Sequence, residues 1–402
     1  MKEGTKKNNL NSDNMEQKEL DNDFKNPEKD KKKLIYGGIA VGIIIIVIIS
    51  LSLWKKSKKN TVETDSTKSN ISSDSSGSVN GEMQMQSPIN PEDASYLSGL
   101  SCPGNNKRRA IAVMQAADIS TRPLSGLSEA DMVFEMPCIT ASITRLMGVY
   151  VCNAPKEIGS IRSSRHDYIT LAKGIDAIYG HWGGSHFALE ILKNKNTVPD
   201  LDAMANPHGA FFRKEGIEAP DNGFASYEGL ENAAEILGYR MENHFEGYPH
   251  QTEATPDKRP KGGNLRVGFA KPFDASYTYD PKTNSYLRTW GNKEDTDRTT
   301  GKRIAPKNII VMFANSRQIE GQYNDVDVEG TGEMHAYFNG QEIVGKWIKE
   351  KKNCIVGNDL VCMTDSKLKF SDESGQEIKF IPGQIWVEIL EPGQKLKWEP
   401  IN

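Results

Sequence analysis

The sequence predicts an α/β N-terminal ectodomain, built as a βαβ-type layer with a partly parallel sheet, then a mostly antiparallel β C-terminal domain, behind a single N-terminal transmembrane helix. Three observations lead there. Residues 34–54 are a 21-residue run without a charged side chain. Residues 148–193 switch between the twofold period of strands and the period of helices. Beyond residue 263 the pattern stays strand-like, broken by turns such as Asn339-Gly340 and Pro382-Gly383.

The chain has 402 residues and a formal net charge of −4. That length allows about two or three domains. The weak negative charge excludes a nucleic-acid binder that works by bulk positive charge, and no nucleic-acid partner is expected. Five cysteines exclude a disulfide-dense scaffold. Residues 1–33 carry 9 basic and 8 acidic side chains and too little apolar surface to fold alone. Residues 34–54 are long enough to span a bilayer as a helix, with lysines at both ends. A cleaved leader would leave through small residues, whereas this run ends Ser52-Leu53-Trp54-Lys55, and no lipid-anchor cysteine follows. The basic residues are similar on both sides, so size sets the orientation: 1–33 cytoplasmic, the bulk extracellular. Residues 55–95 contain no aromatic side chain, and 7 of the 13 residues from 66 to 78 are serine, as in a flexible stalk.

The α/β domain is expected over 96–251. Its strands are expected at 110–114, 131–137, 143–152 and 176–179. Helices are expected at 163–173, 186–193 and 226–237, with Ser163 as the cap of the first. The order strand, helix, strand, loop, helix over 148–193 is the grammar of parallel strands. Residues 252–263 form a Pro/Gly/Lys linker, and a β-rich domain is expected over 264–402. Cys354 and Cys362 flank Gly357-Asn358-Asp359, a turn that would set them opposite each other for a disulfide. Cys138 and Cys152 sit in or beside apolar strands, where cysteine usually acts as a small hydrophobe.

Two loops carry the candidate chemistry. Ile158-Gly159-Ser160-Ile161-Arg162-Ser163-Ser164-Arg165-His166 lies where a strand hands over to a helix. Backbone N–H groups and the helix dipole favour an anion there, and Arg162 and Arg165 would clamp it with bidentate donors. Such a clamp requires both arginines to be partly solvent-accessible. The alternative is structural: Arg162 paired with an acid such as Glu135 or Asp167. The second loop, Gly180-His181-Trp182-Gly183-Gly184-Ser185-His186, would lie on the same sheet edge, with Gly183, Gly184 and Ser185 supplying backbone donors. Glu135, Arg145, His181 and Asn222 would line the pocket. His181 and His186 lack a carboxylate at a recognisable metal-binding spacing, so no metal is expected, and no cofactor. Neither a G-x-S-x-G elbow nor an S-x-x-K motif followed by K-T-G is present.

Several motifs occur in order: Arg122-Pro123-Leu124-Ser125-Gly126 through Glu135, Ile143-Thr144-Arg145, the arginine loop, Gly183-Gly184-Ser185, Tyr286-Leu287-Arg288, Gly345-Lys346-Trp347 and Pro382-Gly383-Gln384-Ile385-Trp386. Over roughly 105–395 the chain thereby resembles the YerB family of bacterial envelope proteins. The resemblance implies an extracytoplasmic protein of Gram-positive bacteria and brings no assigned activity. Family members typically carry a lipid-anchoring cysteine, where this chain has the apolar run. They tend to carry Ala-Pro-His-Asn where this chain has Ala219-Pro220-Asp221-Asn222. The expected function is a membrane-anchored envelope protein that binds an anionic or carboxylate-bearing ligand of peptidoglycan or wall-precursor type. Two rivals are an envelope hydrolase or transferase with His181 or Glu135 as base, and a scaffold for envelope protein partners in wall synthesis or division.

Overall fold

A computed structural model describes residues 91–194, 197–321, 323–351 and 364–401. The expected cytoplasmic tail, membrane helix, nearly all of the stalk and the Cys354–Cys362 pair lie outside the described residues. Among the described residues no helix is long and apolar enough to cross a membrane.

Among the described residues before the linker, eight strands form: β1 (Ile111–Ala116), β2 (Met132–Pro137), β3 (Thr144–Tyr150), β4 (Ile158–Gly159), β5 (Ile178–His181), β6 (Asp200–Asp202), β7 (Phe211–Arg213) and β8 (Gly223–Ala225). Among them lie the helices α1 (His166–Gly174), α2 (His186–Leu192) and α3 (Tyr227–Ile236). After the linker come β9 (Gly262–Gly268), β10 (Ala275–Asp280), β11 (Ser285–Trp290), β12 (Lys293–Glu294), β13 (Asn308–Phe313), β14 (Ser316–Ile319), β15 (Tyr323–Val326), β16 (Gly330–Phe338), β17 (Gln341–Lys349), β18 (Lys369–Asp372), β19 (Ile385–Leu390) and β20 (Lys395–Ile401).

One mixed sheet of ten strands runs β18-β17-β16-β13-β19-β2-β3-β1-β5-β6. It crosses the linker in sequence but not in space, because β2 pairs in parallel with β19, Glu135 opposite Glu388. The linker therefore divides the chain without dividing the sheet. A five-stranded antiparallel sheet, β12-β11-β10-β9-β20, packs on one face. The central strands are buried along their whole length, and their side chains alternate between two cores. Ala112 and Met114 face the core that holds Tyr168 and Ile169 of α1. Ile111 and Val113 face the core that holds Leu230 of α3 and Tyr277 of β10. Strands covered on both faces read as continuous apolar runs, as Ile385-Trp386-Val387 does.

The expected parallel unit is displaced by one element. β3 and β5 flank β1, with β3 antiparallel and β5 parallel to it, so the strands around α1 run in opposite directions. The parallel crossover is β5–α2–β6 instead. Periodicity separates strands from helices; it carries no information about strand direction. Ser163 does not cap α1: the helix begins after Arg165, which makes no side-chain cap bond. Ser185 and Ser226 do cap α2 and α3, accepting from Ala188 N at 3.2 Å and Gly229 N at 3.0 Å. Cys152 packs against the core as expected but is not a free thiol there, because it forms a disulfide with Cys102 across 50 residues of sequence.

Candidate functional site

The pairings make β1, β2, β5, β6, β13 and β19 mutually parallel, so their carboxyl ends share one sheet edge. Ligands of open α/β sheets bind at such an edge. Here it gathers Asp118 after β1, Trp182–Ser185 after β5, Asp202 at the end of β6 and the β14–β15 ribbon after β13. β3 runs the other way and brings its first residues, Thr144 and Arg145, to the same edge.

The two sequence loops meet there as expected. Trp182 N donates to Arg162 O at 3.1 Å, Ser164 N to Gly183 O at 2.9 Å and Ser185 N to Ser164 O at 3.1 Å. That zipper and Asp202 together use two of the three donors assigned to a ligand. The Ser185 N–H is spent on Ser164, and Gly183 N donates to Asp202 Oδ1 at 2.8 Å. Gly184 sits so close that a Cβ would stand 3.2 Å from the Ser164 side chain. The loop is a buttress for the arginine turn rather than an open anion nest.

The arginines are also less accessible than a clamp requires. Arg162 is 9% exposed and Arg165 is 5% exposed. Arg162 Nη1 donates to Pro220 O at 2.6 Å and Nη2 pairs with Asp221, an acid other than the two expected. Arg165 Nη1 donates to Ser164 O at 3.2 Å, and the guanidinium lies 5.6 Å from the Tyr323 ring centroid. Asn222 turns away: its Oδ1 accepts from Arg213 Nη1 at 2.7 Å, and Arg213 stacks on Trp182 at 4.1 Å. Ser163 is half-buried.

Arg145 is 2% exposed and directs Nη1 to Asp118 Oδ2 at 3.6 Å. Arg162 Nε approaches the same oxygen at 3.9 Å. Two buried guanidinium groups thus converge on one part-exposed carboxylate at distances longer than hydrogen bonds. Asp118 was not anticipated, being a lone acid in a loop; Asp221 stands out in the sequence only as a departure from the family's Ala-Pro-His-Asn and not as the partner of Arg162.

Glu135 does not line a pocket. It is fully buried, accepts from Thr144 Oγ1 at 2.7 Å and pairs with Arg288 from β11. Arg288 also pairs with Asp295 and donates from Nε to Tyr277 Oη at 3.0 Å. Burial raises the Glu135 pKa, with Arg288 and Arg122 opposing. His181 is fully buried too, with Nδ1 2.8 Å from Gly183 O and Nε2 3.5 Å from Asp200. Neither expected base reaches solvent.

His166 Nε2 lies 3.1 Å from Asp167 Oδ1 and 3.2 Å from Asp325 Oδ1. One donor atom from each fits within 4.8 Å, the span of a small cation site. Arg317 already pairs with the other Asp325 oxygen, and the positive end of α1 abuts the cluster. That charge favours a proton shared among ion-paired groups over a divalent cation.

Comparison with known proteins sets this architecture in a family. The protein of unknown function DUF3048 N-terminal domain matches residues 97–240, and its C-terminal domain matches residues 265–387. YerB of Bacillus subtilis (strain 168), whose name marks it as a candidate lipoprotein, is 29% identical over 290 residues, 71% of this chain and 82% of its own. The crystal structure of the Bacillus subtilis YerB protein superimposes with a TM-score of 0.64 at 27% identity, covering 74% of this chain and 96% of that one. With both domains matched in order across most of the described residues, this chain belongs to the YerB-like DUF3048 family.

Proposed function

We propose that this is a membrane-anchored cell-envelope protein that binds an anionic group of a wall component at Arg145 and Arg162, in the place Asp118 occupies. One observation carries the reading: the two guanidinium groups meet at Asp118 Oδ2 from 3.6 and 3.9 Å. A carboxylate or phosphate oxygen arriving there can form the short charge-assisted bonds that Asp118 does not make. Asp118 closes the site like a plug on a part-exposed loop, so the two buried guanidinium groups meet a ligand only when that loop moves aside. The Cys102–Cys152 disulfide supports an oxidising compartment outside the membrane. The candidate-lipoprotein name of the YerB relative supports envelope attachment. The hydrolase reading loses ground because Glu135 and His181 are both enclosed.

Calorimetric titration of the detergent-solubilised chain tests this, with inorganic pyrophosphate and with an acyl-D-alanyl-D-alanine peptide as probes. Asp118→Asn removes the competing charge and should tighten binding. Arg145→Lys keeps the charge but loses the fork and should weaken it about tenfold or more, in line with about 1.5–3 kcal/mol for a hydrogen bond to a charged group. Absence of heat from both probes, in wild type and Asp118→Asn alike, sinks the proposal.

A further inference from the structure

After β13 the chain leaves the ten-stranded sheet and forms a separate two-stranded ribbon, β14–β15, with Ser316 opposite Val326 and Ile319 opposite Tyr323. A lone two-stranded ribbon is marginal in water and depends on what it packs against. Its root is firmly held. Asn324 Nδ2 donates to Pro137 O at 3.1 Å and Glu391 Oε1 at 2.9 Å, and Ser316 Oγ to the same Glu391 oxygen at 2.8 Å.

Its contact with the helices is of another kind. Tyr323 packs edge-on against His186 and Phe187, with centroids 5.5 and 5.8 Å apart, and lies over Arg165. Two imidazole–carboxylate pairs flank that ring: His166 with Asp325 at 3.2 Å and His186 with Glu320 at 3.0 Å. Each is an ion pair only while the imidazole carries its second proton.

We propose that the β14–β15 ribbon is a proton-latched cover over the first turns of α1 and α2, seated while His166 is protonated and loosened when it is not. The charged groups facing His166 are Asp167 and Arg165 from its own segment and Asp325 and Arg317 from the ribbon, while Lys351 acts on Asp325. His186 faces Glu320 on the exposed rim. Burial pushes the His166 pKa down, but Asp325 and Asp167 outweigh it, so the net shift is upward. A raised histidine pKa means docking energy present at acid pH and lost as pH rises through the folded value. The latch is independent of the anion reading, because it needs no ligand.

Hydrogen exchange on the full chain, followed by mass spectrometry, tests it. Comparing wild type with His166→Gln at one pH cancels the intrinsic pH dependence of exchange. At pH 6, amides of 316–326 should exchange about tenfold faster or more in the variant, as expected for losing one hydrogen bond between charged groups. At pH 8 the two proteins should match. Asp325→Asn, which removes the carboxylate that faces His166, should show an effect of the same sign and serves if His166→Gln does not fold. Equal ribbon protection in wild type and both variants at pH 6 overturns the latch, as does faster exchange spread through β13 and β19. Restoration of ribbon protection by zinc or manganese at pH 8 would also overturn it, by making the cluster a cation site.

Discussion

Glu388 is buried against two arginine-bound acids, and burial there favours its protonated form. Around it, Arg288 pairs with Glu135 and Asp295, Arg122 holds Asp295 at 2.8 Å, and Tyr277 donates to Glu388. Burial pushes Asp295 up, but Arg122 and Arg288 hold it below its ordinary range. With two guanidinium groups facing three carboxyls, the third is best kept neutral. Burial, then the Glu135 charge, push Glu388 up to about 8. In the unfolded chain a glutamate loses its proton near pH ~4.3. Between those values the folded state holds more protons than the unfolded state, so stability falls as pH rises. Glu388→Gln keeps the acceptor for Tyr277 and removes the titration. Its Tm should fall less steeply than that of the wild type between about pH 4.5 and 8. Parallel curves over that range would show that Glu388 is not the titrating group. Asp167, raised to about 7 by burial, contributes equally to both curves and cancels.

Individual elements were legible where their cause is local. Ser185 and Ser226 cap α2 and α3 through bonds to residues three positions on, a local geometry, whereas the cap expected at Ser163 lies two residues before the actual cap position. The runs 110–114 and 131–137 became β1 and β2 with small shifts at their ends. Pairing and partnership were not legible, because both join residues far apart in sequence. Arg162 meets Asp221 across 59 residues, and Glu135 meets Arg288 across 153. The disulfide belongs to this second class. Cys102–Cys152 ties the segment before β1 to the end of β3, beside Asp131, which accepts from Ser95 Oγ at 3.0 Å, Ser98 Oγ at 2.6 Å and Val151 N at 2.8 Å. Closing a loop of 50 residues removes chain entropy from the unfolded state worth roughly 4 kcal/mol. Cys102→Ala with Cys152→Ala should cost about that much in denaturant unfolding, and reductant should lower the wild type to match. A loss under about 1 kcal/mol would mean that the Asp131 bonds already hold the segment.

At the scale of the whole molecule, the ten-stranded sheet makes both sides of the linker one structure. β2 has β19 as its neighbour, and Glu135 and Arg288 belong to opposite sides of residues 252–263. Residues 96–251 alone would expose the flank of a fully buried strand and leave the Glu135 carboxylate without its guanidinium. Breaking a buried pair costs about 3–5 kcal/mol. That is a large part of the roughly 5–15 kcal/mol by which domains are stable, before the lost apolar contact is added. The isolated 96–251 fragment should therefore show no cooperative melt. Residues 91–401 should unfold in one calorimetric transition whose van't Hoff and measured enthalpies agree. The linker itself is accessible, with Thr255 to Lys258 exposed, so a protease can cut there. The two fragments should nevertheless stay together on a sizing column, because the sheet and the buried charges still join them. Two separate transitions, or fragments that part after a single cut, would show that each side carries its own stability and that the shared sheet is a contact between finished domains.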